Sequence, residues 1–282
     1  MINYLNGLNT GVIMNEEGFL ALALKVKTSN GQTNMFYLQG YVLKDLLMIL
    51  QNRLLSLQIK AADSQQDVAA LIENASQALV NKLPMIEQMD LEQPDIGHLV
   101  NSLSVSFDEH GFRLLLIQKN ESMHHIKVSD EQIQFMMVAI AKALDNVKNT
   151  DLINLLTTGI NYVPVYDAEF RQNGTIDYSM IEIEPWKLDL FNQFYLVVYG
   201  IENKDGLELK FGAVIKAHAV INEQEIDIAA QNFASKSKRL MPYAQQISII
   251  KTTAFTLDND GIPSPKEALQ PLAEFHKVLR EK

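Results

Sequence analysis

Hydrophobic positions in the first part of the chain follow the same order of spacings twice. From Val12 to Gln58, short runs of loosely alternating apolar residues predict three strands, and a run at helical spacing then predicts a helix. The stretch from Leu103 to Lys148 repeats this order. At a constant offset of 90 positions, six apolar helix positions coincide: Leu43, Leu46, Leu47, Leu50, Leu54 and Leu57 match Ile133, Met136, Met137, Ile140, Leu144 and Val147. The sequence therefore predicts a duplicated βββα unit.

The remaining pattern predicts further helices and strands. A helix is predicted from Ser64 to Leu83, followed by an irregular acidic linker from Pro84 to Gly97. Beyond residue 150 we predict a short helix, strands near 162–170, 175–184, 194–202 and 207–220, a helix from Asn222 to about Leu240, a last strand at 247–257 and a short C-terminal helix. The helix that opens at Asn222 follows the repeat less faithfully, so we interpret this region as a third, degenerate copy.

Three segments follow from this pattern. The first βββα unit, with the helix 64–83 and the acidic linker, spans residues 1–97; the second unit spans 98–150; the degenerate, β-rich unit spans 151–282. Because the strands occur in hairpins rather than singly between helices, the fold class is predicted to be α+β with mainly antiparallel sheets.

Composition limits the classes of partner and compartment. The chain has 282 residues, of which 47% are hydrophobic and 21% charged, with a formal net charge of −10. General nucleic-acid binding is not expected, because it requires clustered basic residues. The absence of cysteine excludes disulfides and thiolate chemistry. Since no apolar run reaches the ~20 residues of a membrane span and no signal peptide is evident, we expect a soluble, cytoplasmic protein without membrane association.

Motifs for cofactors and metals are absent from the sequence. There is no phosphate-binding glycine loop, no dinucleotide fingerprint and no nucleophile elbow. The six histidines include the neighbours His124 and His125, but adjacent residues on a strand point to opposite faces and cannot chelate one ion together. We therefore predict no cofactor, no metal site and no identifiable catalytic residue.

The opening of the chain resembles a known family. The residues that carry the resemblance are Gly11-Val12-Ile13, the run from Leu20 to Lys27 and the overall length, which are similar to the YjeJ-like proteins of bacteria. The resemblance implies no activity, and it transfers no site residue to this chain.

The third unit contains the most suggestive polar residues. If Glu202 pairs with Leu207 across a hairpin, one face of the two strands carries Leu196, Val198, Phe211, Ala213 and Ile215. The opposite face then carries Tyr195, Val197, Tyr199, Lys210, Lys216 and His218. Tyrosines beside basic residues could bind an anionic ligand or a partner chain. The alternative is an amphipathic face half covered by a neighbouring element.

The helix near residues 41–59 has a second apolar stripe. Met48, Leu55 and Ile59 lie about 140° from its main stripe, at 100° per residue. Either the helix 64–83 folds back onto this stripe, or the same stripe of a second chain covers it and makes a homodimer.

Two classes of function remain from the sequence alone. The preferred hypothesis is a non-catalytic binding or regulatory protein that acts through contacts with another protein, because repeated units occur without an enzymatic constellation. The alternative is an enzyme or a small-anion-binding protein that uses the tyrosine, lysine and histidine face of the third unit.

Overall fold

The protein is described by a computed structural model that covers residues 3–63, 67–204, 206–219, 222–257 and 262–281, with the side chains of 60–63 and 223 left aside. The predicted helix start at Ser64, the hairpin residue Asp205 and the predicted strand end at Val220 lie outside these ranges. The chain divides into two compact units, Met1–Ile160 and Asn161–Lys282. The first two predicted segments both lie in unit 1.

Unit 1 contains one six-stranded sheet with helices packed on it. Its elements are β1 (Asn3–Asn15), β2 (Gly18–Thr28), β3 (Thr33–Leu38), α1 (Gly40–Asp63), α2 (Val68–Val80), α3 (Gln88–Glu92), β4 (Val100–Asp108), β5 (Gly111–Gln118), β6 (Met123–Ser129), α4 (Ile133–Asp145) and α5 (Thr150–Thr157), with short 3-10 turns at Ile96–His98 and Asp130–Gln132. The strand order is β3-β2-β1-β6-β5-β4.

Each half of this sheet is an antiparallel meander followed by a helix. The halves join through a parallel pairing of β1 with β6 at Asn3 and Ile126. A parallel bridge between Tyr37 and Leu99 also brings β3 to the start of β4. The order and direction of the elements agree with the duplication hypothesis, and superposition of the two stretches remains a prediction.

Apolar residues at helical spacing explain why α1 and α4 pack on the sheet. On α1 the buried members of the main stripe are Leu43, Leu46, Leu47, Leu50 and Leu57, and on α4 they are Ile133, Met136, Ile140 and Leu144. The side chain of Ser129 and that of Gln132 form a capping box ahead of α4, which satisfies backbone groups that the helix start leaves open.

The segment between Pro84 and Gly97 is not a free linker. The Tyr37 hydroxyl donates a hydrogen bond to the Asp90 carbonyl at 2.9 Å, and Lys25 pairs with the Asp90 carboxylate at 2.7 Å. Leu91 packs against a cluster of buried sheet residues and lies 3.0 Å from the position that a Cβ on Gly11 would occupy. The acidic residues therefore belong to a segment that covers part of the sheet.

Unit 2 is a five-stranded antiparallel sheet with a helix on each face. Its elements are β7 (Tyr162–Phe170), β8 (Ile176–Met180), α6 (Pro185–Asp189), β9 (Gln193–Asn203), β10 (Gly206–Ala217), α7 (Glu223–Ala234), β11 (Ile247–Phe255) and α8 (Pro265–Arg280). The strand order is β11-β9-β10-β7-β8. Phe233 of α7 packs with Tyr199 and Phe211 on one face, whereas Leu272 of α8 reaches Gly212 from the other.

The fold class is confirmed as α+β with mainly antiparallel sheets. The third copy is not confirmed, because the strands of unit 2 do not follow one another as a consecutive meander. The C-terminal helix of unit 2, α8, has 16 residues and is longer than the short helix predicted. None of the helices in the described ranges combines the length and the apolar character that a membrane crossing requires.

Candidate functional site

The tyrosine, lysine and histidine residues predicted to share a face of unit 2 do not do so. Glu202 pairs with Leu207 as predicted, but the ladder of β9 and β10 shifts register between Leu209 and Phe211. Beyond the shift Tyr199 lies directly opposite Phe211, and opposite residues of an antiparallel pair share a face. The predicted grouping is therefore wrong, because one bulge residue, Lys210, exchanges the faces of the rest of β10.

The two tyrosines on β9 belong to the core under α7. Tyr199 has no exposed surface and Tyr195 retains 8%. The Tyr199 hydroxyl donates to the Ala230 carbonyl of α7 at 3.0 Å, and the Tyr195 hydroxyl donates to the His218 carbonyl at 3.1 Å. Burial raises the pKa of both phenols above the ordinary range. These contacts stabilise the packing of unit 2 and leave neither ring accessible to a ligand.

The three basic residues of the predicted site do not offer an exposed positive surface. Lys216 is buried, with its ammonium 4.9 Å from the centre of the Phe194 ring. His218 is also buried, which lowers the pKa of its imidazole. Lys210 is half-buried and lies 3.5 Å from the Glu169 carboxylate. The five predicted residues therefore do not form a surface.

The predicted interface stripe of α1 is only partly on the surface. Met48 is 5% exposed, Leu55 is half-buried and Ile59 is 41% exposed. In unit 1, α1 packs against α4, α5 and β4, whereas α2 packs against β1, α4 and the turn Asp130–Gln132. Met48 thus belongs to the interior of unit 1 and cannot contribute to a contact between two chains.

A cleft in unit 2, which sequence reasoning missed, combines apolar and cationic groups. We call it the α8 cleft; its volume is 590 Å³, and it lies between the C-terminal end of α8 and strands β7, β10 and β11. Its lining residues are Phe170, Arg171, Gln172, Leu207, Glu208, Leu209, Ile249, Lys251, His276, Leu279 and Arg280. An adjoining depression of 520 Å³ shares Phe170, Arg171, His276 and Arg280 with it.

The floor of the α8 cleft is apolar because three side chains converge over a glycine. A Cβ on Gly200 would lie 2.9 Å from the Leu207 side chain, 3.3 Å from that of Leu209 and 3.4 Å from Ile249. Only a residue without a side chain lets these groups meet above the sheet. Leu207 remains 51% exposed, so the floor offers apolar surface to a ligand.

His276 forms a fixed wall of the cleft. Its ring stacks on that of Phe170, and its Nε2 lies 2.8 Å from the Leu209 carbonyl oxygen. Since a carbonyl oxygen only accepts, Nε2 carries the hydrogen in this contact. Burial lowers the pKa of His276, and the nearby Arg280 guanidinium lowers it further, whereas the hydrogen bond to the carbonyl raises it. Together these effects favour the neutral imidazole over the charged one.

The cleft carries more positive than negative charge. Its described lining residues include three cations, Arg171, Lys251 and Arg280, and one carboxylate, Glu208. Lys251 and Arg280 are exposed, and neither forms an ion pair with any residue in the described ranges. Arg171 pairs with Asp177 at 2.5 Å, and this guanidinium is the main reason that the pKa of the Asp177 carboxyl is lowered. The cleft therefore presents positive charge beside an apolar floor.

A charged network beside the cleft holds Arg171 in place. Arg239 lies 3.4 Å from Asp177, the partner of Arg171, and 3.6 Å from Glu169. Asp167, which is buried, accepts a hydrogen bond from the Ser237 hydroxyl at 2.8 Å. These contacts fix the strand end from which Arg171 projects. The described residues contain no group of three or more histidines and carboxylates that could hold a metal ion.

One sequence signal could have pointed to the cleft. His276 and Arg280 are four positions apart on α8, so they share a helix face. The partners that make this face significant come from β7, β10 and β11, and their convergence depends on the strand order, which local patterns do not contain.

Comparisons with known proteins agree on one family. A model of the YjeJ-like family matches residues 1–282. A protein of Escherichia coli (strain K12) named "Uncharacterized protein YjeJ" is 28% identical over 242 residues, which is 85% of this chain and 83% of the relative's length. No solved structure matches the chain. The resemblance noted at the start of the chain is confirmed, and since the family model covers the whole sequence, the chain belongs to the YjeJ-like family.

Proposed function

We propose that the protein is a non-catalytic binding protein that acts through contacts with a partner protein, and that the α8 cleft receives an acidic, partly apolar segment of that partner. The observation that carries the proposal is the convergence of Arg171, Lys251 and Arg280 around an apolar floor in a chain whose formal net charge is −10. A local cationic surface on an acidic protein selects partners by charge.

The composition of the cleft favours a ligand with both charge and apolar surface. Leu207 and Ile249 supply area whose burial is favourable by roughly 25 cal/mol per Å². Lys251 and Arg280, which have no carboxylate partner in the described ranges, supply charge complementarity. Exposed pairs of this kind contribute mainly to the rate and specificity of association, so binding should weaken as salt screens the charges.

Fluorescence anisotropy with a defined peptide tests the proposal. The probe, called the Glu and Val peptide, is a labelled peptide about eight residues long to match a strand. Its odd positions are Glu and Val in turn and its even positions are Thr, so that Glu and Val project from the same face of an extended chain. The full-length protein is expected to bind it, and Lys251→Glu or Arg280→Glu is expected to weaken binding at least about tenfold. Lys236→Glu is the control, because this exposed lysine of unit 2 follows the end of α7 and is not among the lining residues. Equal binding by all four proteins would overturn the proposal.

A second candidate function is the binding of a small aromatic carboxylate. It is favoured by the stacked rings of Phe170 and His276 beside Arg280, a planar cation that matches a carboxylate. Calorimetry with benzoate tests it. A millimolar or tighter affinity that is lost in Arg280→Gln supports this candidate, and the absence of heat at saturating benzoate rejects it.

A further inference from the structure

Strand β11 forms one edge of the sheet in unit 2. Its sheet neighbour in the described part of the chain is β9, with which it pairs continuously from Ile249 to Phe255. Each of its nine residues is at least partly exposed, whereas most of β9 is buried. The outer side of β11 is therefore a row of backbone groups to which a further strand can pair.

The sequence of β11 has few of the features that normally prevent such pairing. The strand contains no proline, and its β-branched and aromatic residues, such as Ile250, Thr252 and Phe255, favour extended structure. Its one charge is Lys251, and its register shift lies at the start, between Ile247 and Ile249. Natural edge strands are usually blunted by prolines, several charges or central bulges.

The register of β11 connects this edge to the α8 cleft. Ile249 lies opposite Gly200, and Lys251 lies opposite Val198. Both side chains therefore project on the sheet face that carries the cleft, which they help to line. Because side chains of a strand alternate, every second residue of an added strand would project onto this same face.

We propose that an extended segment of the partner protein adds to β11 as a further strand and places an acidic side chain beside Lys251 and Arg280. Apolar side chains two positions away on the same face then cover Ile249 and Leu207. This inference rests on the proposed function and specifies its geometry. The bound segment is expected to be acidic because the cations on this face attract negative charge. It is expected to favour extended structure because it pairs with a strand.

The other edge of the sheet does not offer the same complementarity. Strand β8 has five residues and carries Asp177, which is already paired with Arg171 and Arg239. An acidic segment on that edge would meet a carboxylate. The inference therefore assigns the partner to β11 and makes β8 the internal control.

Amide hydrogen exchange and two modified peptides test this geometry. In the full-length protein, the Glu and Val peptide is expected to slow exchange of alternate β11 amides and to leave β8 unchanged. Successive N–H groups of a strand point to opposite edges. Methylation of the backbone nitrogens of all Glu and Val residues in one peptide, and of all Thr residues in another, should therefore weaken binding unequally, with about a tenfold loss in one.

The outcomes separate this inference from the proposed function. Unequal loss with protection of β11 supports strand addition. Equal binding of both methylated peptides, or the absence of slowed amide exchange in β11, overturns strand addition. If Lys251→Glu still weakens binding of the unmodified peptide in that case, the proposed function stands. If the unmodified peptide does not bind, both proposals fail.

Discussion

The imidazole of His276 lies nearly parallel to the ring of Phe170, with centroids 3.7 Å apart and planes inclined by 11°. The stack joins α8 to the end of β7, and the bond from His276 Nε2 to the Leu209 carbonyl joins it to β10. One side chain thus fixes three elements around the α8 cleft. A cleft held in this way can bind without first ordering its own wall.

The pKa of His276 should lie below the ordinary histidine value of about 6.5, mainly because of burial. Unfolding restores the higher pKa, so the unfolded chain binds more protons below about pH 6.5, and the contribution of His276 to stability falls as pH decreases towards its folded pKa. NMR titration of the ring measures this directly. Arg280→Gln should raise the pKa, and a value at or above 6.5 in the parent protein would contradict the account.

Replacement of Tyr199 should destabilise unit 2 rather than remove a binding surface. Tyr199→Ala leaves a cavity under α7 and is expected to cost about 3–5 kcal/mol, whereas Tyr199→Phe loses only the hydrogen bond to Ala230 and should cost about 1 kcal/mol. Urea unfolding followed by Trp186 fluorescence reports unit 2, since this is the only tryptophan.

The control for this measurement is Met180→Ala, at an exposed residue of β8 in the same unit that should change stability by no more than about 0.5 kcal/mol. Combining Tyr199→Ala with Lys216→Ala should also destabilise, because Lys216 is buried. If the double variant kept its midpoint, the placement of these residues in the core would be wrong.

The buried ion pair of Arg53 and Asp130 should be essential to unit 1. Arg53 donates from Nε to Asp130 Oδ1 at 2.9 Å and from Nη2 to Oδ2, and this pair joins α1 to the turn before α4. Asp130→Asn leaves the guanidinium buried without its counter-charge, which is expected to cost about 3–5 kcal/mol. Asp145→Asn, at an exposed position, should change stability by less than about 0.5 kcal/mol.

Methyl NMR signals of Ile140, which is buried in α4, follow the urea unfolding of unit 1 separately from that of unit 2. Similar midpoints for Asp130→Asn and Asp145→Asn would mean that the ion pair contributes little.

The sequence predicted local structure well because local patterns determine it. The bounds of β7 at Tyr162 and Phe170 agree with the prediction. The pair Asn30 and Gly31, which is typical of hairpin turns, lies between β2 and β3, with Gly31 at φ 84°. The class of the fold follows from such hairpins. The long β1 was predicted only from Val12 onwards, because its first half, from Asn3, lacks a clear alternation.

The candidate site could not be predicted, for two physical reasons. The extra residue Lys210 forms a bulge in β10, so the residues after it point to the opposite face from the one predicted. No local pattern of the sequence predicts this bulge. The α8 cleft needs Lys251 of β11 and His276 of α8 to meet, which depends on strand order and on which face α8 covers. Both are set by packing of distant segments rather than by periodicity.

The apolar stripe of α1 should not hold two chains together. Because Met48 is buried within unit 1, the surface part of the stripe, Leu55 and Ile59, is too small for the roughly 800 Å² per partner of a stable interface. Light scattering is expected to give about 31.8 kDa for the parent protein and for Leu55→Glu with Ile59→Glu. A parent of twice this mass that becomes monomeric in the folded variant would instead establish the homodimer.

Reciprocal charge reversal tests the central claim, that the α8 cleft binds an acidic segment, most directly. Anisotropy compares the Glu and Val peptide with a Lys and Val peptide on the parent protein and on the variant Lys251→Glu with Arg280→Glu. The account predicts that the parent binds the acidic peptide at least about tenfold more tightly than the basic one, and that the variant reverses this preference. A variant that still prefers the acidic peptide, or a parent without preference, would contradict it.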